Sequence, residues 1–365
     1  MKRAPVLVLL ACLLAAVPAS GQRVAKYGAD FLAGGVGARA LAMGGAQVGL
    51  VNDVHAVYWN PAGLQGLDRA GVSYMHAERF AGIVSFDYGS AAMALSDRST
   101  VGIAYFRSGV NDIKNTLDAW DPVRDEPKPD PSSHITTFSA ADHAFFVSYA
   151  RRLRPGLDAG ITAKIIRRTI GSFAGAWGYS FDLGLRYSKG SWHFGATAQD
   201  VTTMLQSWSV DAGRLAAIRD VFGDDLPSGG TELVLPVLRL GSGYTMGAEP
   251  GRLTLAADMD LVFDGTSAQA IDLGDGAVAL YPRFGAEYAW RNIVAVRAGI
   301  SRLLSTESDG LDLSPTVGTG LKIGRFAVDY SFGDFAGLVS ALGYSHRISA
   351  SIDLDRLRPD PEPEP

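Results

Sequence analysis

The side chains that most often do chemistry are thinly spread in this sequence. There are six histidines, His55, His76, His134, His143, His193 and His346, and they show no metal-ligand spacing. The one cysteine, Cys12, sits in an apolar leader, which excludes a disulfide framework and a cysteine cluster. Serine and aspartate are abundant, but a hydrolase needs nucleophile, base and acid brought together, and no motif marks such a set. The reading is non-enzymatic, with no catalytic residue, no metal and no cofactor. Gly35-x-Gly37-x-x-Ala40 imitates a dinucleotide fingerprint, which requires a buried strand before it and a βαβ unit around it. A leader cleavage site precedes it instead, and no parallel-sheet pattern follows. Lys164, Arg167 and Arg168 could clamp the phosphates of lipopolysaccharide by paired contacts, or form a solvated strand end. Lys+Arg 33 against Asp+Glu 38 gives a net charge of −5, so no basic excess points to nucleic acid.

The elements that would position these residues begin with a targeting segment. Met1-Lys2-Arg3 is basic, Val6 to Val17 is almost wholly apolar, and Ala19-Ser20-Gly21 supplies small residues. This is the three-part pattern of a secretory signal peptide, assigned to 1–21. Its apolar run of about 12 residues is short of the ~20 that a membrane helix needs. Cys12 loosely fits a lipobox, but the apolar core continues past it.

The body then alternates. Tyr179, Phe181, Leu183, Leu185 and Tyr187 fall on one face, and Ser180, Asp182, Gly184 and Arg186 on the other. Leu253 to Phe263, Val294 to Ile300, Phe326 to Phe332 and Tyr344 to Ile352 repeat the pattern. Such stretches run about 9–13 residues, against the ~5–6 of a globular strand and the ~9–11 of a membrane-spanning one. About 14 strands between 70–78 and 341–353 are expected, with long connections at one end and tight turns at the other. The fold class is all-β, a transmembrane antiparallel barrel over 67–354. In hydrocarbon every backbone polar group must be paired, which a closed barrel achieves without an edge. Asp182, Arg186, Asp258, Asp260, Arg297, Lys322 and Asp329 then face the lumen.

Two segments break the alternation. Residues 109–141, rich in Asp, Pro and Ser, read as a mobile external loop. Within the long connection 200–234, residues 203–223 read as helical, with Asp211 as a cap and Leu215, Ile218, Val221 and Phe222 on one face. A Pro/acidic tail, 355–365, is expected to be extended and disordered.

Gly37-Ala38-Arg39-Ala40-Leu41-Ala42-Met43-Gly44-Gly45-Ala46, followed by the run Asp53 to Leu64 with Tyr58-Trp59-Asn60-Pro61-Ala62-Gly63, resembles the start of the PorV/PorQ family. That family lies within the larger group of FadL-like outer-membrane barrels. The resemblance implies a 14-stranded barrel, in the outer membrane of a Gram-negative-type bacterium, with an N-terminal plug in its lumen. The plug falls within 22–66, with Asn60, Pro61, Ala62 and Gly63 as its motif. Arg39 and Asp53 are plug charges that need partners in the barrel wall if buried. The resemblance implies one of two roles. One is binding or passage of hydrophobic small molecules through the plugged barrel and a side opening. The other is a type IX secretion component that binds exported cargo and secretion subunits through loops 109–141 and 200–234. Outer-membrane lipid is a partner in either case.

Overall fold

The computed structural model describes residues 23–24, 30–79, 82–121, 124, 126–215, 229–262, 278–306, 310–333 and 345–354. The leader over 1–21 and the tail over 355–365 lie outside the described residues. Fourteen antiparallel strands close into a barrel. In chain order they are β1 Ala70–Arg79, β2 Val84–Ser96, β3 Ser99–Asn115, β4 Thr136–Arg154, β5 Leu157–Ile170 and β6 Ala174–Lys189. Next come β7 in two pieces, Trp192–Gln199 (β7a) and Met204–Val210 (β7b), and β8 in two pieces, Gly230–Val234 (β8a) and Val237–Ala248 (β8b). Then follow β9 Gly251–Val262, β10 Ala279–Trp290, β11 Val294–Thr306, β12 Gly310–Ile323, β13 Phe326–Gly333 and β14 Ser345–Asp353. The last strand pairs with the first, from His346 opposite Glu78 to Asp353 opposite Gly71, so the wall has no free edge there.

The period of two decides which face each residue takes. On β6 the aromatic and aliphatic row Tyr179, Phe181, Leu183, Leu185 and Tyr187 points outward, 37–55% exposed. The alternate residues Ser180, Asp182 and Arg186 point inward, 1–8% exposed. Ile103, Val147, Ile165, Val296 and Val328 extend this outward apolar belt around the barrel. A soluble barrel turns its apolar face the other way. No helix among the described residues is long and apolar enough to cross a membrane.

At one end the strands are joined by two- or three-residue turns, such as 155–156, 190–191 and 324–325. Gly156, Gly190 and Gly324 take φ of 77°, 58° and 60° there, a backbone region that disfavours any side chain. The longer connections gather at the opposite end, although 171–173 between β5 and β6 is short as well.

Two expectations need correction. Residues 109–141 are not one loop: β3 and β4 stay paired as far as Asn115 opposite Thr136, with an irregularity between Val110 and Ile113. The connection shrinks to 116–135, which holds the short helical turns Leu117–Ala119 and Pro131–His134. Above the apolar belt water solvates the outward side chains, so hydrophobic alternation stops while backbone pairing continues. Residues 203–223 do not begin as a helix: Met204–Val210 is a strand, paired with β6 and β8a. The upper part of β6 supplies a row of backbone groups that a strand there satisfies and a helix would leave open. Asp211 does cap a turn, accepting from the amides of Gly213 and Arg214. Ile218, Val221 and Phe222 lie outside the described residues.

Candidate functional site

The segment 30–66 runs inside the barrel, and most of its side chains are buried. It contains one-turn helices α1 Asp30–Ala33, α2 Ala38–Ala42 and α3 Ala56–Trp59, then a 3-10 turn Pro61–Gly66 that leads into β1. The Asn60 side chain caps that turn, its oxygen accepting from the Ala62 amide at 3.2 Å, and Pro61 stands at its first position. The Asn60 amide nitrogen donates to the carbonyls of Val48 (2.8 Å) and Leu185 (3.0 Å). The motif residue Asn60 therefore clips one stretch of plug to another and both to β6. Ala62 and Gly63 are buried; a Cβ on Gly63 would meet the Val51 carbonyl oxygen.

One side of the plug faces charge. Arg39 donates twice to Glu287 on β10, at 2.8 and 2.9 Å. Glu287 also accepts from Arg297 on β11 (2.6 Å), and Arg297 donates to Asp329 on β13 (2.8 Å). Asp258 on β9 accepts from the plug amides of Gln47 and Val48, at 2.7 and 2.8 Å. Asp260 is bridged by Arg283 and Arg239. Arg186 donates to the Gly49 carbonyl at 3.4 Å. Lys322 is exposed at the short-turn end. There, with Arg39, Asp53, Glu287, Arg297 and Asp329, it lines a polar cavity of about 330 Å³.

The second plug charge behaves differently from the first. Asp53 finds its partner within the plug, accepting from the amide and Nδ1 of His55 at 2.8 and 3.0 Å. His55 Nε2 then meets Ser73 Oγ of β1 at 3.1 Å, so the wall is reached through the histidine. Burial alone would raise the Asp53 pKa, but His55 and Arg39 bring it down to about 2. Burial alone would lower that of His55, and the Asp53 carboxylate outweighs it, so the net direction is up.

The other side of the plug faces an apolar wall. Phe31, Leu32, Val36, Leu41, Val57, Tyr58, Trp59 and Leu64 pack against Met75, Phe86, Tyr88, Phe106, Phe146, Ile166 and Met204. Trp59 donates through its ring nitrogen to the Val36 carbonyl (3.0 Å), and the Tyr58 hydroxyl donates to the Leu32 carbonyl. The alternation puts mostly polar residues inward, and it does not mark this half. The available signal was the runs Phe145-Phe146-Val147 and Ile165-Ile166, where apolar residues occupy both faces of the wall.

Inward glycines let the plug backbone touch the wall. A Cβ on Gly195 would lie 2.1 Å from the Val48 carbonyl oxygen, and one on Gly299 2.2 Å from the Gly44 amide nitrogen. Gly160 and Gly184 make the same room for Pro61.

The wall bulges beside the apolar half, where the Val201 amide still donates to the Phe181 carbonyl at 2.9 Å. Direct pairing of β6 with β7 stops at Leu183–Ala198 and resumes at Tyr179–Leu205. Residues 200–203 bulge, with φ of 54° at Asp200 and 57° at Thr203. Across from them β8 breaks at 235–236. A buried cluster spans the gap. Lys164 on β5 contacts Asp182 (2.8 Å) and Asp200 (2.7 Å), and the Asp200 amide donates to Asp182 at 2.8 Å. Met204 and Ile166 flank this cluster on the inside.

The run Lys164, Arg167 and Arg168 is thereby divided. Lys164 and Arg168 point inward, Arg168 pairing with Asp142 at 2.8 Å, while Arg167 alone points outward over the Trp177 ring. Among the described residues no group of His, Cys, Asp and Glu is placed to hold a metal ion.

Comparison with solved structures finds the same fold. The "CymD monoaromatic hydrocarbon channel" aligns with a TM-score of 0.53 at 12% identity, covering 88% of this chain and 97% of that one. The Pseudomonas putida toluene transporter TodX gives 0.53 at 14% identity, over 87% of this chain and 97% of that one. Its deltaS2 mutant gives 0.51 at 13%, with the same coverages of 87% and 97%. No protein-family profile matches the chain, and no curated protein matches it.

Proposed function

We propose that this barrel sits in the outer membrane of a Gram-negative-type bacterium and passes hydrophobic small molecules. The observation that carries this reading is the apolar half of the lumen, which runs beside a bulge in the wall at 200–203. A hydrophobic solute loses free energy by leaving water for such a surface, at roughly 25 cal/mol per Å² buried. The bulge, closed in this structure by the Lys164–Asp182–Asp200 cluster and by the Val201 amide on the Phe181 carbonyl, is the place where a sideways exit toward the bilayer would open. The outward apolar belt supports the membrane location, and the fold shared with hydrocarbon channels supports the class of solute. Polar solutes gain nothing from the apolar half, and the plug fills the direct route.

The secretion reading, in which PorV-like barrels bind cargo through 109–141 and 200–234, has less surface to work with. Residues 109–115, 136–141, 204–210 and 230–234 are wall rather than free loop.

The test has two arms. Gentle detergent extraction followed by mass spectrometry is expected to find a retained aromatic or lipid-like molecule; secretion proteins co-purifying in its place would overturn the reading. In liposomes, filling the apolar path with Ile166→Trp and Met204→Trp is expected to slow entry of toluene several-fold. Sucrose entry should stay at its low baseline. Unchanged toluene entry would remove the assigned route.

A further inference from the structure

We infer that the outer wall of β3–β5 carries a binding site for the phosphate of an anionic lipid, in the leaflet at the long-loop end. The inference rests on the membrane location proposed above. Arg107 on β3 stands directly opposite His143 on β4, and His143 directly opposite Arg167 on β5. Arg167 in turn stands opposite Trp177 on β6. All four share the outward face with Ile103, Phe145, Val147 and Ile165, and they mark the upper edge of that apolar belt. Arg186, Arg239, Arg283 and Arg297 point inward to carboxylates or plug carbonyls; Arg107 and Arg167 are turned toward lipid.

A guanidinium facing hydrocarbon costs roughly 2–4 kcal/mol at the bilayer midplane and close to nothing at the interface. Both arginines lie so as to reach that interface. A Cβ on Gly109 would sit 2.9 Å from Arg107 Nη2, and a Cβ on Gly175 2.7 Å from Arg167 Nη1. Gly109 and Gly175 are each nearer the long-loop end than the arginine they accommodate, so both side chains are laid flat across glycine in the same direction. This is snorkelling with its track built into the strand.

The row also has charge to spare. Asp87 Oδ2 lies 3.8 Å from Arg107, an ion pair beyond hydrogen-bond reach, while Oδ1 accepts from Tyr74 (2.6 Å) and His76 (2.9 Å). Arg107 donates to Ser85 at 3.4 Å. Arg167 stacks 5.1 Å from the Trp177 ring centroid and donates to the Ala176 carbonyl at 3.3 Å, with no carboxylate partner among the described residues. His143 is held by the Tyr105 hydroxyl at 2.7 Å. Two planar cationic forks flank a histidine on adjacent strands, at headgroup depth. That matches a phosphate oxyanion, which guanidinium binds through two parallel hydrogen bonds.

The full-length barrel, purified in detergent, is titrated with diphosphorylated lipid A and, as reference, phosphatidylcholine, with bound lipid read by native mass spectrometry. Lipid A is expected to bind in preference, and R107Q/R167Q to bind it about tenfold or more weakly, the loss of charge-assisted bonds. R151Q, which removes an outward charge at the short-turn end, is expected to bind like the parent. Equal binding by the parent and R107Q/R167Q, or an equal loss in R151Q, overturns the site. Retained heat-modifiable gel mobility shows that the double variant is folded, and R167Q alone provides a milder version. Failure of the parent barrel to insert into bilayers is a separate result that strikes the membrane reading itself.

Discussion

The two sides of the plug are held in different ways. Toward β1–β6 it is held chiefly by volume: Trp59, Tyr58, Leu64 and Phe31 fill space against Phe86, Phe106 and Phe146, with neutral bonds such as Asn60 to the Leu185 carbonyl and Gln65 to Thr100 beside them. Toward β8–β13 it is held by position: Arg39, Glu287, Arg297 and Asp329 form a chain of directed bonds of 2.6–2.9 Å, and Asp258 holds two plug amides. Apolar packing tolerates small shifts and admits apolar guests, whereas a buried ion pair breaks abruptly when one partner moves. The difference teaches that the plug has a fixed side and a yielding side. The bulge in the wall at 200–203 lies along the yielding side.

The sharpest way to break the contrast is Glu287→Ala. It leaves Arg39 and Arg297 without their shared carboxylate and is expected to destabilise the seated plug by about 3–5 kcal/mol. Protease cleavage of 34–50 in detergent, negligible in the parent, would report it; a protected segment would show that the charged side is not what holds the plug. Next in size is Leu64→Ala on the yielding side, at about 3 kcal/mol. The cavity it leaves is apolar and stays dry, so toluene entry is expected to rise while protease protection remains. If both variants release the plug alike, the two sides do not differ.

Asn60→Ala is smaller, at about 1–3 kcal/mol, because the carbonyls of Val48 and Leu185 lose their donor. Paired with Pro61→Ala it is expected to change permeability while the barrel keeps its heat-modifiable mobility; loss of that mobility would make the motif a folding element only. The smallest effect is that of pH. The raised pKa of His55 means its contribution is complete below about 6.5 and declines as pH rises through the folded-state value. Asp53, held at about 2, contributes fully above about 3.9 and loses that only as pH falls toward 2. Plug protection is therefore expected to be flat between about pH 4 and 6.5 and to weaken above it, with Asp53→Asn abolishing the dependence. A dependence retained in that variant would assign the titration elsewhere.

Much of the wall was legible from residues alone, because a barrel strand with an apolar outer face writes its environment at every second position. Tyr179 to Tyr187 and Leu253 to Leu261 show each face directly. What was not legible has three physical causes. Where both faces are apolar, as at Phe146 and Ile166, alternation vanishes and the apolar half of the lumen is hidden. Where both faces are wet, as at Asp112 and Lys114 on β3, alternation vanishes again, and the strand reads as loop. The Lys164–Asp182–Asp200 cluster joins three strands across a bulge, and no local pattern announces that. At the plug, the resemblance around Asn60 to Gly63 marked the segment. The partners of Arg39 and Asp53 lie 248 positions away in one case and 2 in the other, a distinction that spacing does not encode.

The glycine seat and the bonds around it also bear on the order of assembly. The Ala38 amide is satisfied by Ser349, 311 positions later, and the Gly44 amide by Thr316, 272 later. A segment that precedes every strand of the barrel thus finds these two acceptors last, since they sit on β12 and β14. Contacts so distant in sequence form slowly, after the loop entropy between them has been overcome. Until the final strands are in place, the Ala38 and Gly44 amides lack these acceptors, and an incomplete wall leaves the lumen ajar. The full set of plug bonds is thus available only in a barrel whose last strands are in place.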